Sequence, residues 1–144
     1  MASDSSHWSV ATCDHEGRPL LVRYRGFASD FPREIYPERL NVIWTMSEQD
    51  ENGLATDDES DRLTTFENRL VAALERTSAG VLSVVLTTGG QREFVFHTAD
   101  RGDFLQRLTD MPQETERYPI EIHGNRDPEW VYDDEVRPTT DTSP

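Results

Sequence analysis

Eight side chains of this 144-residue chain could bind an anion or pass a proton: Arg23, Arg25, Asn41, Thr45, Glu93, His97, Glu121 and His123. Guanidinium groups hold carboxylates and phosphates through paired, charge-assisted hydrogen bonds. Carboxylates and imidazoles are the common acid–base groups. Alternate residues of a strand share a face. Asn41 with Thr45, Glu93 with His97, and Glu121 with His123 therefore each keep to one side of a strand, and Arg23 and Arg25 keep the same spacing in an earlier stretch. If these strands lie in one sheet, the eight residues form an open-face binding surface. An antiparallel sheet with one solvated polar face accounts for the same pattern without any site.

Other chemistries find less support. A metal shared by His97 and His123 would need two imidazoles to converge across an intervening strand, about 10 Å between backbones, with no cysteine nearby to help; no metal site and no cofactor is expected. His7 and His15 fall at the chain start and in a turn. The single cysteine, Cys13, closes a strand-like run and reads as a small apolar residue. No G-x-S-x-G nucleophile elbow is present. Gly89-Gly90 is a hairpin turn rather than a phosphate loop, because no helix follows it. The acidic stretch 47–61 contains D-x-N-G without the ligand order of a calcium loop, and it reads as a solvated loop or as a docking surface for a basic partner. No catalytic residue is assigned, and the balance is against an enzyme.

The segment DPEWVYDDEV, residues 127–136, sets two large aromatics among acids. Asp127 is suited to cap a short helical turn, with Pro128 at its favoured first position and Trp130 pointing back to the sheet. The motif reads as a structural pin for the chain end. Asp133, Asp134 and Glu135 have no specific account at this level.

Positioning these residues takes the following elements. Residues 8–13 alternate large and small side chains, and residues 20–26 are rich in strand formers. With Gly17 and Pro19 between them, they predict a β-hairpin. Residues 27–38 hold two prolines and no period, predicting a connection across the surface. Residues 39–46 predict a strand with Leu40, Val42, Trp44 and Met46 on one face. Thr56 and Glu59 form a capping box. The helix they open runs to about Ser78, with Leu63, Phe66, Leu70, Ala73 and Leu74 on one stripe and Gly80 as its stop. Residues 81–88 and 91–98 predict a hairpin around Gly89-Gly90. Asp100 caps a second helix with Phe104, Leu105, Leu108 and Met111 as its apolar face. Residues 118–123 predict a last strand, which Pro119 marks as an edge.

From residue 39 the order is strand, helix, strand, strand, helix, strand. The expected fold class is therefore α+β, a ferredoxin-like βαββαβ sandwich with both helices on one face of an antiparallel sheet and an N-terminal β-hairpin extension. The expected organisation is a disordered start (1–7), one domain (8–136) and a disordered tail (137–144). Within the domain come the hairpin (8–26), the ferredoxin-like unit (39–124) and a docking segment (125–136).

Charge narrows the partners. The chain holds 28 acidic and 14 basic residues, all of the latter arginine, for a net charge of −14. Such a field argues against nucleic acid and anionic membranes and is compatible with a basic protein partner. No apolar run approaches membrane-spanning length. The start, MASDSSHWSV, lacks the pattern of a signal peptide. A cytoplasmic location is expected.

Short motifs spread over the chain resemble a bacterial family known only as domain of unknown function number 695. They are Trp8, Gly17 with Pro19, Val22-Arg23, Tyr36-Pro37, Val42-Ile43-Trp44 and Gly53-Leu54. Next come Glu59, Leu63, Glu67 and Leu70, the run TTGGQREF, Asp100 with Phe104, and Asp127-Pro128-Glu129-Trp130 with Tyr132. The chain departs from the pattern at Ala55, where proline is common, and at His97, where an aromatic is common. The resemblance implies a fold and no activity. The architecture is also distantly similar to the ribonuclease E regulator B proteins, small acidic inhibitors that bind an enzyme. The function expected is a non-enzymatic protein-binding or regulatory module with an acidic surface. The alternative is a small-molecule (anion) binder or enzyme using the open polar face of the sheet.

Overall fold

In a computed structural model that describes residues 7–28, 30–111 and 118–136, the two N-terminal runs form strands β1 (His7–His15) and β2 (Arg18–Gly26). They pair antiparallel through a two-residue turn whose centre, Glu16 and Gly17, has φ of 54° and 83°. Paired positive φ values match the right-handed twist of the flanking strands. Pro19 lies inside β2, opposite Asp14, rather than in the turn.

The following elements are β3 (Glu38–Thr45), α1 (Asp57–Leu70), β4 (Val81–Thr88), β5 (Gln91–Thr98), α2 (Arg101–Thr109), β6 (Ile120–Arg126) and α3 (Val131–Val136). All six strands join one open antiparallel sheet in the order β1-β2-β4-β5-β3-β6. The result is a mixed α/β structure with a six-stranded sheet and three helices among the described residues. β4 has no free edge, because β2 covers it. β6 pairs only with β3 and is an edge, as Pro119 predicts.

Period two, shifted on β4 by an irregularity between Leu82 and Val84, divides the sheet between two cores. Leu40, Val42 and Trp44 of β3, Leu82 and Val85 of β4, and Phe94 and Phe96 of β5 meet Leu63, Phe66 and Leu70 of α1 and Phe104 and Leu108 of α2. On the opposite side, Val22, Val84 and Val95 form a smaller core with Tyr132 and Val136 of α3 packed against it. The side expected to lie open is therefore partly covered.

Two helix ends show why local signals succeed or fail. Thr56 accepts the Glu59 amide at 3.3 Å, and Asp100 accepts the Asp103 amide at 3.1 Å, as their positions predict. The stop at Gly80 is corrected. α1 passes at Leu70 into a wider π turn over Val71–Glu75, and Ser78, at φ 64°, makes the left-handed reversal. Leu74 O then accepts from the amides of both Ala79 and Gly80. Gly80 is small for another reason: a β-carbon there would meet the Phe104 ring at 2.9 Å.

The acidic loop is solvated, with Glu48, Asp50, Glu51, Asp57, Asp58 and Asp61 exposed, and its backbone is also tied down. Asp50 accepts the amides of Asn52 and Leu54, and Gly53 O accepts the Gly90 amide at 2.8 Å. A β-carbon on Gly53 would lie 3.1 Å from the Gly89 backbone, at a φ of 81°. Gly53→Ala is expected to cost about 1–2 kcal/mol, because both the φ and the backbone contact oppose it. Urea unfolding measures this; an unchanged midpoint would mean that the loop is not seated on the β4–β5 turn.

Candidate functional site

The neighbouring strands β3 and β5 carry the polar side chains of the face that α3 overlies. Arg39 and Asn41 are two apart on β3 and point the same way. The Arg39 Nε donates to Asn41 Oδ1 at 3.0 Å, and its Nη1 donates to Asp127 Oδ2 at 2.9 Å. Asn41 Nδ2 donates to Glu93 Oε2 at 2.5 Å, and the Tyr132 hydroxyl donates to the same oxygen at 2.6 Å. The Arg39 guanidinium lies 4.4 Å from the centre of the Tyr132 ring. One polar chain thus runs from Asp127 through Arg39 and Asn41 to Glu93 and Tyr132.

The ends of this chain are electrostatically polarised. Burial pulls the Asp127 carboxyl pKa up. The amides of Val131 and Tyr132 and the Arg39 guanidinium outweigh it and hold the pKa below its ordinary value. Burial, then the bond to the Glu93 carboxylate, pushes the Tyr132 phenol well above its ordinary value, so it remains a hydrogen-bond donor. Glu93 Oε1 accepts no hydrogen bond among the described residues.

Glu93 and Tyr132 line an open groove of about 390 Å³ between α3 and strands β2, β4 and β5. Leu20, Leu86 and Val136 supply its apolar surface, and Glu135 adds a second carboxylate. Tyr132, Glu135 and Val136 reach it together because residues three and four apart share a helix face.

The eight residues expected on one open surface do not form it. Asn41, Thr45, Glu93, His97, Glu121 and His123 share the α3 side by register. Arg23 and Arg25 face the other side. Arg23 pairs with Glu67 of α1, at 2.5 Å from Nη2, and Arg25 pairs with Glu75. The β2–β4 register puts Val22 and Tyr24 on the α3 side, which sends the two arginines under α1. Glu67 is thus an ion-pair partner as well as a flank to the apolar stripe. Thr45 is exposed at the strand end, and His123 and Glu121 meet at 3.6 Å near the sheet edge.

His97 is not on an open face; it is fully buried. Its ring stacks on Trp130 with centroids 3.8 Å apart and 6° between planes, and its Nε2 lies 2.8 Å from Asp133 Oδ1. Among the described residues, His97 Nδ1 and Asp133 Oδ2 have no hydrogen-bond partner. A histidine–carboxylate pair is a familiar acid–base unit. Here Trp130 and α3 enclose it, so its geometry is that of a tether for the helix. His97 and His123 do not converge, and among the described residues no group of three or more His, Cys, Asp or Glu side chains is placed to hold a metal.

Within DPEWVYDDEV, Asp127, Trp130 and Asp133 are buried. The turn expected at Pro128 is present, closed by the Trp130 amide on Asp127 O at 3.1 Å, and α3 follows it from Val131, with Trp130 at φ 57° between them. Asp127 caps this helix through both carboxylate oxygens. Asp133, without an account in the sequence, bonds His97, and Glu135 faces the groove. Sequence reasoning also missed Arg39, although the strand period that selected Asn41 and Thr45 includes it.

The family model described as "Family of unknown function (DUF695)" matches residues 6–134. No curated protein and no solved structure matches the chain. Among the described residues no helix is long and apolar enough to cross a membrane.

Proposed function

We propose a function from the site geometry, because the chain belongs to the DUF695 family, whose function is unknown. The protein is a non-enzymatic binding module that takes a basic and apolar segment of a partner protein into the groove beside α3. One observation carries this reading. Glu93 lines the groove with one oxygen accepting hydrogen bonds from both Asn41 and Tyr132 and the other without a donor among the described residues. A carboxylate held in place this way is suited to accept a charge-assisted hydrogen bond from a guanidinium or ammonium group. Leu20, Leu86 and Val136 then cover the apolar neighbour of that cation, and the net charge of −14 draws basic partners toward the molecule. The anion-binding alternative loses its support, since Arg23 and Arg25 are paired on the other side of the sheet.

The finer fold assignment belongs with this proposal. The order β4-β5-β3-β6, with α1 and α2 packed on one face, supports a ferredoxin-like unit extended by the β1–β2 hairpin. A regulatory role like that of the ribonuclease E regulator B proteins rests on architecture alone. A bacterial cytoplasm as the setting is supported by the family resemblance and by the single cysteine.

The test uses fluorescent peptides that alternate arginine with leucine, beside the same peptides with glutamate in place of arginine. The arginine peptides should bind at low salt and weaken as salt rises. Glu93→Gln should reduce their affinity about tenfold, a loss near 1.4 kcal/mol, with the melting temperature measured to confirm folding. Equal binding of both peptide sets, or an arginine-peptide affinity that ignores Glu93→Gln, would remove the groove as the docking site.

A further inference from the structure

The two edges of the sheet are unlike each other. β6 is a guarded edge: Pro119 precedes it, and it contains Glu121, His123, Gly124 and Arg126. Charged side chains and proline are the common devices that stop edge strands from pairing. β1, at the opposite edge, spans nine residues, and residues 8–13 (WSVATC) include no charge, proline or glycine. Val10 at its middle is 71% exposed, and Trp8, stacked against Arg23 and Arg25, is 36% exposed. The register pairs β1 with β2 along its whole length, leaving its other side as the edge of the sheet.

We propose that β1 is a self-association edge, where a second copy of this chain adds its own β1 antiparallel and continues the sheet. Charge selects this occupant. The chain carries −14 overall, yet residues 7–26 hold three arginines, Arg18, Arg23 and Arg25, against two acids, Asp14 and Glu16. With Arg23 and Arg25 paired to Glu67 and Glu75, the hairpin is close to neutral, so two such acidic molecules can approach along it without facing the bulk of the negative charge. An uncharged strand also offers nothing to select a charged partner, whereas its own copy matches it. A two-fold axis near Ala11, the centre of β1, gives the self-complementary contact that a symmetric dimer requires. Val10 of one copy then faces Thr12 of the other. Period two keeps Trp8, Val10 and Thr12 on one continuous face, and cross-strand neighbours cover the exposed Val10 side chain. This interface is separate from the groove beside α3.

Sedimentation equilibrium of the full chain, over a dilution series from hundreds of micromolar to low micromolar, tests the proposal. The expected result is a dimer that dissociates on dilution. Val10→Lys places a charge on an exposed position of the edge and should weaken association at least about tenfold, with thermal unfolding unchanged. Ile122→Lys, on the guarded edge, should leave association as it is. A chain that stays monomeric throughout the series overturns the proposal. So does a dimer that tolerates Val10→Lys but is lost in Ile122→Lys.

Discussion

Trp130→Ala should destabilise the fold by about 3–5 kcal/mol, the range for truncating a buried large aromatic. The indole is fully buried. Phe27 and Phe31 meet it edge-on at 5.5 and 5.7 Å, His97 stacks on its other side, and its Nε1 donates to Tyr36 O at 3.1 Å. Removing the ring therefore takes away packing from Phe27, Phe31 and His97 and leaves a half-buried carbonyl without its donor. The damage should concentrate at α3, since Trp130 directly precedes that helix and its stacking partner His97 binds Asp133 within it. Urea unfolding should show the loss in stability, and hydrogen exchange should show early opening of residues 131–136. Trp130→Phe, which keeps an aromatic ring, should cost less than Trp130→Ala. Equal unfolding of Trp130→Ala and the natural chain would make the indole a surface group.

Glu59→Ala should cost about 3 kcal/mol, by leaving buried donors unpaired and removing hydrogen bonds to a charged group. Glu59 is fully buried at the start of α1. Its carboxylate accepts from Trp44 Nε1 at 2.6 Å, Ser47 Oγ at 3.1 Å and the Glu48 amide at 3.2 Å, and it pairs with Arg62. This corrects half of the capping box: the Glu59 amide uses the Thr56 cap, but its side chain turns inward to Trp44 and the start of the acidic loop. Burial pulls the carboxyl pKa up, yet bonds from Trp44, Arg62, Ser47 and Glu48 outweigh it and hold the pKa below its ordinary value. A folded-state pKa below the unfolded one makes the stabilisation complete above the unfolded value, about 4.3 for Glu. It is lost as pH falls through the folded value. Glu59→Gln, which keeps an acceptor oxygen but no charge, should cost less near neutral pH and flatten the fall in stability below about pH 4. A mutant with the same acid limb as the natural chain would show that Glu59 is not a linked proton site.

The strands and helices were legible because their signals are local. Leu40, Val42 and Trp44 follow period two, and Leu63, Phe66, Leu70 and Leu74 follow helical spacing; all are buried. The candidate site was legible only in part. Period two placed Asn41 and Glu93 on the same face, and they do bond. It could not place Arg23 and Arg25, because a hairpin's face depends on its register with the next strand; the pairing of Val22 with Leu86 decided it. His97 shows the second limit. Its strand face was legible, but its burial comes from α3, whose docking depends on contacts between residues far apart in sequence. The connection 27–38, read as crossing the surface, wraps Trp130 with Phe27, Phe31 and the Tyr36 carbonyl. Aromatics without a period leave no trace of the partner they pack on.

The amino-acid sequence by itself determined the order of the elements, the apolar faces of α1 and α2, the two-residue turn at Gly89-Gly90 and the cap at Asp127. Each follows from dihedral preference or from side-chain period, which act over a few residues. Only the tertiary structure decided that α3 lies over the polar face, that His97 and Asp133 meet beneath it, and that Glu93 lines a groove. Those outcomes depend on strand register and on chain ends meeting across the sheet. They are set by burial and hydrogen-bond satisfaction over the whole molecule rather than by any local stretch.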